Sequence, residues 1–74
     1  MEFNFAYNKP NSFFKEKKAI TLRELVNGAD EKICSGSEVT IICKSRELKV
    51  YFDVVSKDRI HVYRVSHEDL ELVK

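Results

Sequence analysis

ITLRELVNG (residues 20–28) decides how the 74-residue chain is read. Thr21 stands three residues before Glu24, the spacing of a capping box. In that motif the threonine oxygen accepts from an exposed helical N–H, and the glutamate reaches back to the threonine N–H. Leu22, Leu25, Val26 and Ala29 recur at three and four residues and so share one helical face. Ile20 precedes the cap and is placed to pack on Leu25, while Gly28 is a residue that ends helices without steric cost. The stretch predicts one short helix over residues 22–28. A helix of this length is marginal alone and needs a sheet to pack on.

The sheet is expected on both sides of it. Upstream, FNFAY (residues 3–7) sets Phe3, Phe5 and Tyr7 against Asn4 and Ala6, a period of two that reads as a short strand. Asn8 to Ser12 breaks it, and Phe13 to Lys18 reads as an extended connection or a single helical turn. Downstream, Glu38 to Cys43 is rich in β-branched residues, with Val39, Ile41 and Cys43 facing one way. Lys44 to Glu47 reads as a hairpin connection; Leu48, Val50 and Phe52 then point inward, and Lys49, Tyr51 and Asp53 outward. Arg59 to Val65 makes a third strand, with Ile60 and Val62 on one face and His61, Tyr63 and Val65 on the other. Leu70 to Val73 makes a fourth. The connections are too short for parallel crossovers. The expected fold is α+β: an antiparallel β-meander of four to five strands with one short helix packed on one face. A small open barrel is the alternative, since short twisted strands can curl. Residues 1–74 are expected to form a single domain.

Composition narrows the function classes. The formal net charge is +1, short of the basic excess usual in proteins held to DNA through phosphates. Cys34 and Cys43 do not form a secreted-type disulfide framework and are expected as free core thiols. With no leader pattern in MEFNFAYNKPNS and no apolar run able to span a bilayer, a cytoplasmic protein with no membrane partner is expected. The spacing of Cys34, Cys43, His61 and His67 lacks the close cysteine pair that nucleates structural zinc sites, so no metal or other cofactor is expected. No phosphate loop, zinc-protease motif or nucleophile elbow occurs, and the chain is read as not an enzyme.

What remains are two surfaces for a partner. Lys9, Lys15, Lys17, Lys18 and Arg23 stand against Glu16 alone, with Phe13 and Phe14 beside them, a composition in which bases stack on rings while lysines neutralise phosphates. Tyr51 and Tyr63, flanked by Arg59, Arg64 and Lys49, make an outer face of the kind enriched at protein interfaces. The candidate partner-binding residues are therefore Phe13, Phe14, Lys15, Lys17, Lys18, Tyr51, Arg59 and Tyr63.

From Ile20 onward, on its T-L-R-E-L segment and the strands after it, the chain resembles small α+β proteins encoded by phages and prophages of Gram-positive bacteria. Many of those open with a T-[LIV]-[KR]-E-L segment followed by three or four strands. Some very small phage proteins inhibit host defences, anti-CRISPR proteins among them. The resemblance thus implies a protein-binding inhibitor that occupies a surface on a host protein such as a CRISPR nuclease effector, itself a nucleoprotein. It carries over no functional residues, and FNFAYNKPNSFFKEKK lies outside it. A small nucleic-acid-binding protein using the basic and aromatic N-terminal surface is the alternative, and a homo-oligomeric structural protein, such as a homodimer, is a third class.

Overall fold

The computed structural model describes residues 1–46 and 50–73. The hairpin position Glu47 and the strand positions Leu48 and Lys49 read from the sequence lie outside the described residues. Two short helices, α1 (Phe3–Asn8) and α2 (Asn11–Phe14), lead into strands β1 (Lys18–Thr21), β2 (Leu25–Val26), β3 (Lys32–Ile33), β4 (Glu38–Arg46), β5 (Val50–Ser56) and β6 (His61–Ser66). One turn of 3-10 helix, His67–Asp69, joins β6 to β7 (Leu70–Leu72). The architecture is a small α+β fold built on a five-stranded antiparallel sheet of order β6-β5-β4-β1-β7, with β2 and β3 pairing separately as a hairpin.

Only β4, β5 and β6 form a meander; β1 intervenes between β4 and β7. This order sets the shape. In a flat sheet β6 and β7 would lie four strand spacings apart, ~19 Å at about 4.8 Å each. The connection from Ser66 to Leu70 reaches at most about 14 Å even fully extended, and it is wound into a 3-10 turn. The sheet therefore curls, and its concave side becomes the core.

The helix expected over residues 22–28 is absent. Thr21 ends β1, and its hydroxyl donates to the Cys34 carbonyl at 2.8 Å and accepts from the Ser37 N–H at 3.1 Å. Its N–H donates to the Ser37 carbonyl and its carbonyl accepts from Gly36, so the groups expected to cap a helix instead close the base of a long excursion between β1 and β4. Within it Leu25 and Ile33 pair across β2 and β3 and are both buried, whereas Leu22 is exposed. Among the described residues Glu24 makes a long, exposed contact to Lys32 (3.9 Å), a type of ion pair that contributes little. Gly28 lies in the hairpin turn, where Asp30 rather than the glycine takes a positive φ of 60°.

The strand expected over residues 3–7 is α1 instead. A run this short satisfies both periods, since Phe3, Ala6 and Tyr7 also lie three and four residues apart. Phe3 stacks on Tyr7 at 5.4 Å and Ala6 is fully buried. α2 then drops Phe14 into the concave side, edge-on to Phe52 at 4.9 Å. Around it lie Ala19, Val39, Ile41, Val50, Val54, Val62, Val65 and Leu70.

Two β-bulges correct the expected facing of side chains. Between β4 and β5 the register shifts between Ile41 and Cys43, so Cys43 pairs with Asp53 and turns away from the core, while Lys44 pairs with Phe52. Between β5 and β6 the register shifts between Phe52 and Val54, so Val62 and Val65 both point inward although three residues apart. Lys44, set on the core side, carries its ammonium over the Phe14 ring at 5.4 Å and donates to the carbonyls of Tyr7 and Lys9 at the end of α1. Those carbonyls are acceptors that the helix leaves unused.

Phe14→Ala is expected to lower stability by about 3–5 kcal/mol in urea unfolding, most of what a domain this small possesses. Phe13→Ala, at a half-buried position, is expected to cost markedly less. Equal losses would contradict the placement of Phe14 as the plug of the sheet.

Candidate functional site

The residues singled out from the sequence divide into three groups. Phe14 is interior and offers nothing to a partner; its place among them is corrected by the aromatic packing just described. Phe13 is half-buried, edge-on to Phe5 and Phe14, with the ammonium groups of Lys17 and Lys9 at 4.7 and 5.2 Å from its ring centre. The ring's π-face is thus engaged by the protein's own cations, an arrangement worth about 0.5–1 kcal/mol per exposed pair.

The second group shares the convex face of the sheet. Strand register places Lys18, Thr40, Val55 and His61 in one row across β1, β4, β5 and β6. Cys43 and Asp53 form the next row, and Ser45, Tyr51 and Ser66 the third. Tyr63 rises from the β6 bulge at 64% exposure. Ala6 and Phe14 take α1 and α2 to the concave side, so the two helices leave this face uncovered. Lys18 donates to the Thr40 hydroxyl at 2.7 Å. Arg59 stands apart, exposed at the β5–β6 turn, with φ at 64° and its N–H donating to Ser56.

The centre of the face is a chain of contacts that the sequence did not foretell. Asp53 accepts from the Arg64 N–H at 3.1 Å through one oxygen and from the Cys43 thiol at 3.3 Å through the other. Arg64 has φ at 59°, a left-handed conformation that normally favours glycine. Its guanidinium lies 5.0 Å from the Tyr51 ring centre. The carboxylate thereby holds open the bulge that presents Arg64 and Tyr63. Val62 and Val65 cannot share one face of a regular strand, being three residues apart, so it is their joint burial that marks this bulge.

The hydrogen bond to Asp53 raises the Cys43 pKa above its ordinary value of 9.0, aided by burial and the carboxylate's charge and opposed by the Lys15 ammonium. The shift is opposite in sign to the one that activates a cysteine nucleophile. Cys34 is exposed, His61 lies on the convex face 6.4 Å from Tyr63, and His67 is buried with Nδ1–H donating to the Met1 carbonyl. Among the described residues no group of three or more His, Cys, Asp or Glu side chains is arranged to hold a metal ion. Nor, among them, is any helix long and apolar enough to cross a membrane. Comparison with protein-family models, with curated proteins and with solved structures returned no match.

The sign of the Cys43 shift gives a test. The folded protein holds the thiol proton more tightly than the unfolded chain, so this group adds stability below pH 9.0 that is lost as pH rises through the folded value. In a Cys34→Ser background, the pH profile of Cys43 alkylation by iodoacetamide is expected to lie above that of the unfolded chain. Asp53→Asn should move that profile to lower pH; an unchanged profile would contradict the thiol–carboxylate contact.

Proposed function

We propose that the protein is a non-catalytic binding module that docks on another protein through the convex face of its sheet. The observation that carries this reading is the exposed Tyr63 beside the Arg64–Tyr51 stack, on the face that the helices leave uncovered. Tyrosine and arginine held in fixed positions make strong contacts at low entropic cost, and such residues dominate binding energy at interfaces. Lys18, beside Thr40 on β1, adds positive charge to the same face.

The narrower reading, a phage-encoded inhibitor of a host defence protein such as a CRISPR nuclease effector, is supported by the resemblance around Thr21 to Leu25 and by small size. Its motif does not form the helix it implied, so it rests on sequence likeness alone. Binding of nucleic acid through the basic N-terminal segment is the second reading. It has less support, because Phe14 is buried and a base stacking on Phe13 must displace Lys9 and Lys17.

The test is capture from a nuclease-treated lysate of a Gram-positive host, analysed by mass spectrometry and repeated with variants. A protein retained by the unaltered chain and by Phe13→Ala/Lys17→Glu, yet reduced roughly tenfold or more by Thr40→Glu/Tyr63→Ala, is the expected outcome. Retention that ignores the convex-face changes would sink the proposal. So would nucleic acid retained from an untreated lysate and lost with Lys17→Glu.

A further inference from the structure

We infer that a second copy of this chain adds antiparallel to the outer edge of β7, with the two-fold axis beside Leu72. This contact is independent of the docking face proposed above, since Tyr51 and Tyr63 lie on β5 and β6, toward the opposite edge of the sheet.

The ladder between β1 and β7 assigns each main-chain group of β7 to a side. The Leu22 N–H donates to the Asp69 carbonyl at 2.8 Å, and the Val73 N–H donates to the Lys18 carbonyl at 3.0 Å. Antiparallel ladders alternate, so residues 69, 71 and 73 turn their N–H and C=O groups toward β1, and Leu70 and Leu72 turn theirs outward. At Leu70 both groups are taken. Its N–H donates to the His67 carbonyl, and its carbonyl accepts from the Met1 amino group at 2.6 Å. At Leu72 neither group is engaged among the described residues. An open N–H and C=O on a strand edge is a template for another strand.

The two edges of the sheet differ in protection. β2 packs against β6, the Asn27 side-chain amide donates to the His61 carbonyl at 3.0 Å, and the register shift along β6 interrupts that edge further. β7 has no such guard: its register with β1 is unbroken from Leu70 to Leu72, and neither proline nor lysine falls within it. Leu72 packs on the core yet stays half-buried. Beside it Val73 is 45% exposed, and Leu22, just past the end of β1, is 47% exposed.

A second copy fits this edge because the strand is complementary to itself, as a two-fold contact requires. With Leu72 opposite Leu72, each N–H donates to the other copy's carbonyl, and the two half-buried leucine side chains meet. Glu71 then stands opposite Val73 in both halves, so no directly opposed pair carries like charges. Lys18, next to Val73 on β1, has no carboxylate partner among the described residues. It lies one strand beyond that valine, on the side from which Glu71 of the other copy approaches.

The experiment is sedimentation equilibrium of the full chain under reducing conditions, which keep the exposed Cys34 from cross-linking, with ¹⁵N spectra at the same concentrations. The contact is small, so the mass is expected to rise toward two chains at roughly 0.1–1 mM protein. Amide shifts should grow with concentration at Leu72 and Val73. Val73→Glu sets like charges opposite Glu71 and should weaken association about tenfold or more. Val73→Lys, facing the same carboxylate, should hold or tighten it, and Glu71→Lys/Val73→Glu should restore what Val73→Glu loses. Glu71 and Val73 are exposed, and an unchanged spread of the remaining amide signals checks that each variant is folded. A chain that stays monomeric at 1 mM would overturn the inference. So would equal weakening by Val73→Glu and Val73→Lys, no recovery in the double variant, growth beyond two chains, or concentration-dependent shifts confined to Tyr51 and Tyr63.

Discussion

Three residues join the two opposite edges of a five-stranded sheet, and most of the molecule follows from that connection. His67–Asp69 cannot bridge the width of a flat sheet, so the strands curl. Curling creates a concave side too deep for the strand side chains alone to fill. The N-terminal segment fills it: α1 and α2 lie over the opening, Ala6 and Phe14 go in, and Lys44 closes over the Phe14 ring. Covering one side commits both helices, so the other side stays open. The candidate interface is in this sense a consequence of closure.

The two bulges decide what the open face displays. Without the shift at Ile41 and Cys43, Lys44 would project outward and its ammonium would not reach the carbonyls of α1. Without the shift at Phe52 and Val54, Val65 would be outside and the sheet would lose a core contact. Asp53 links the two irregularities, since one of its oxygens holds the Cys43 thiol and the other holds the Arg64 N–H. A single carboxylate on β5 thus ties β4 to β6. Its neighbours Tyr51 and Arg64 stack on each other beside it, and side chains held in place lose little entropy on binding.

Part of this was legible in the sequence. Strands β4 to β7 follow from β-branched runs and polar breaks, and the strand signals were strong because each strand packs a face of valine, isoleucine or leucine. The Thr21–Glu24 spacing misled because the groups that cap a helix can equally tie a strand end to a distant loop, and residues 34–37 supply the partners here. FNFAY misled because a five-residue run does not separate a period of two from one of 3.6. Of the candidate site, Tyr51 and Tyr63 were readable as outward aromatics, Asp53 as outward and Arg64 as flanking them, but the contact that joins Asp53 to Arg64 was not. It depends on a backbone conformation at Arg64 that no glycine announces, marked by the joint burial of Val62 and Val65. Phe13 and Phe14 look identical in sequence, and only the turn of α2 sends one inward.

The account stands on β1 lying between β4 and β7, with Phe14 inside the curl. A NOESY spectrum of the isotopically labelled chain reads this directly. Cross-peaks between the backbone protons of Ala19 and Val39 and of Ile20 and Glu71, together with contacts from the Phe14 ring to that of Phe52, are the predicted result. Sequential amide–amide cross-peaks of a helix over residues 22–28, with no contact between β1 and β7, would contradict it.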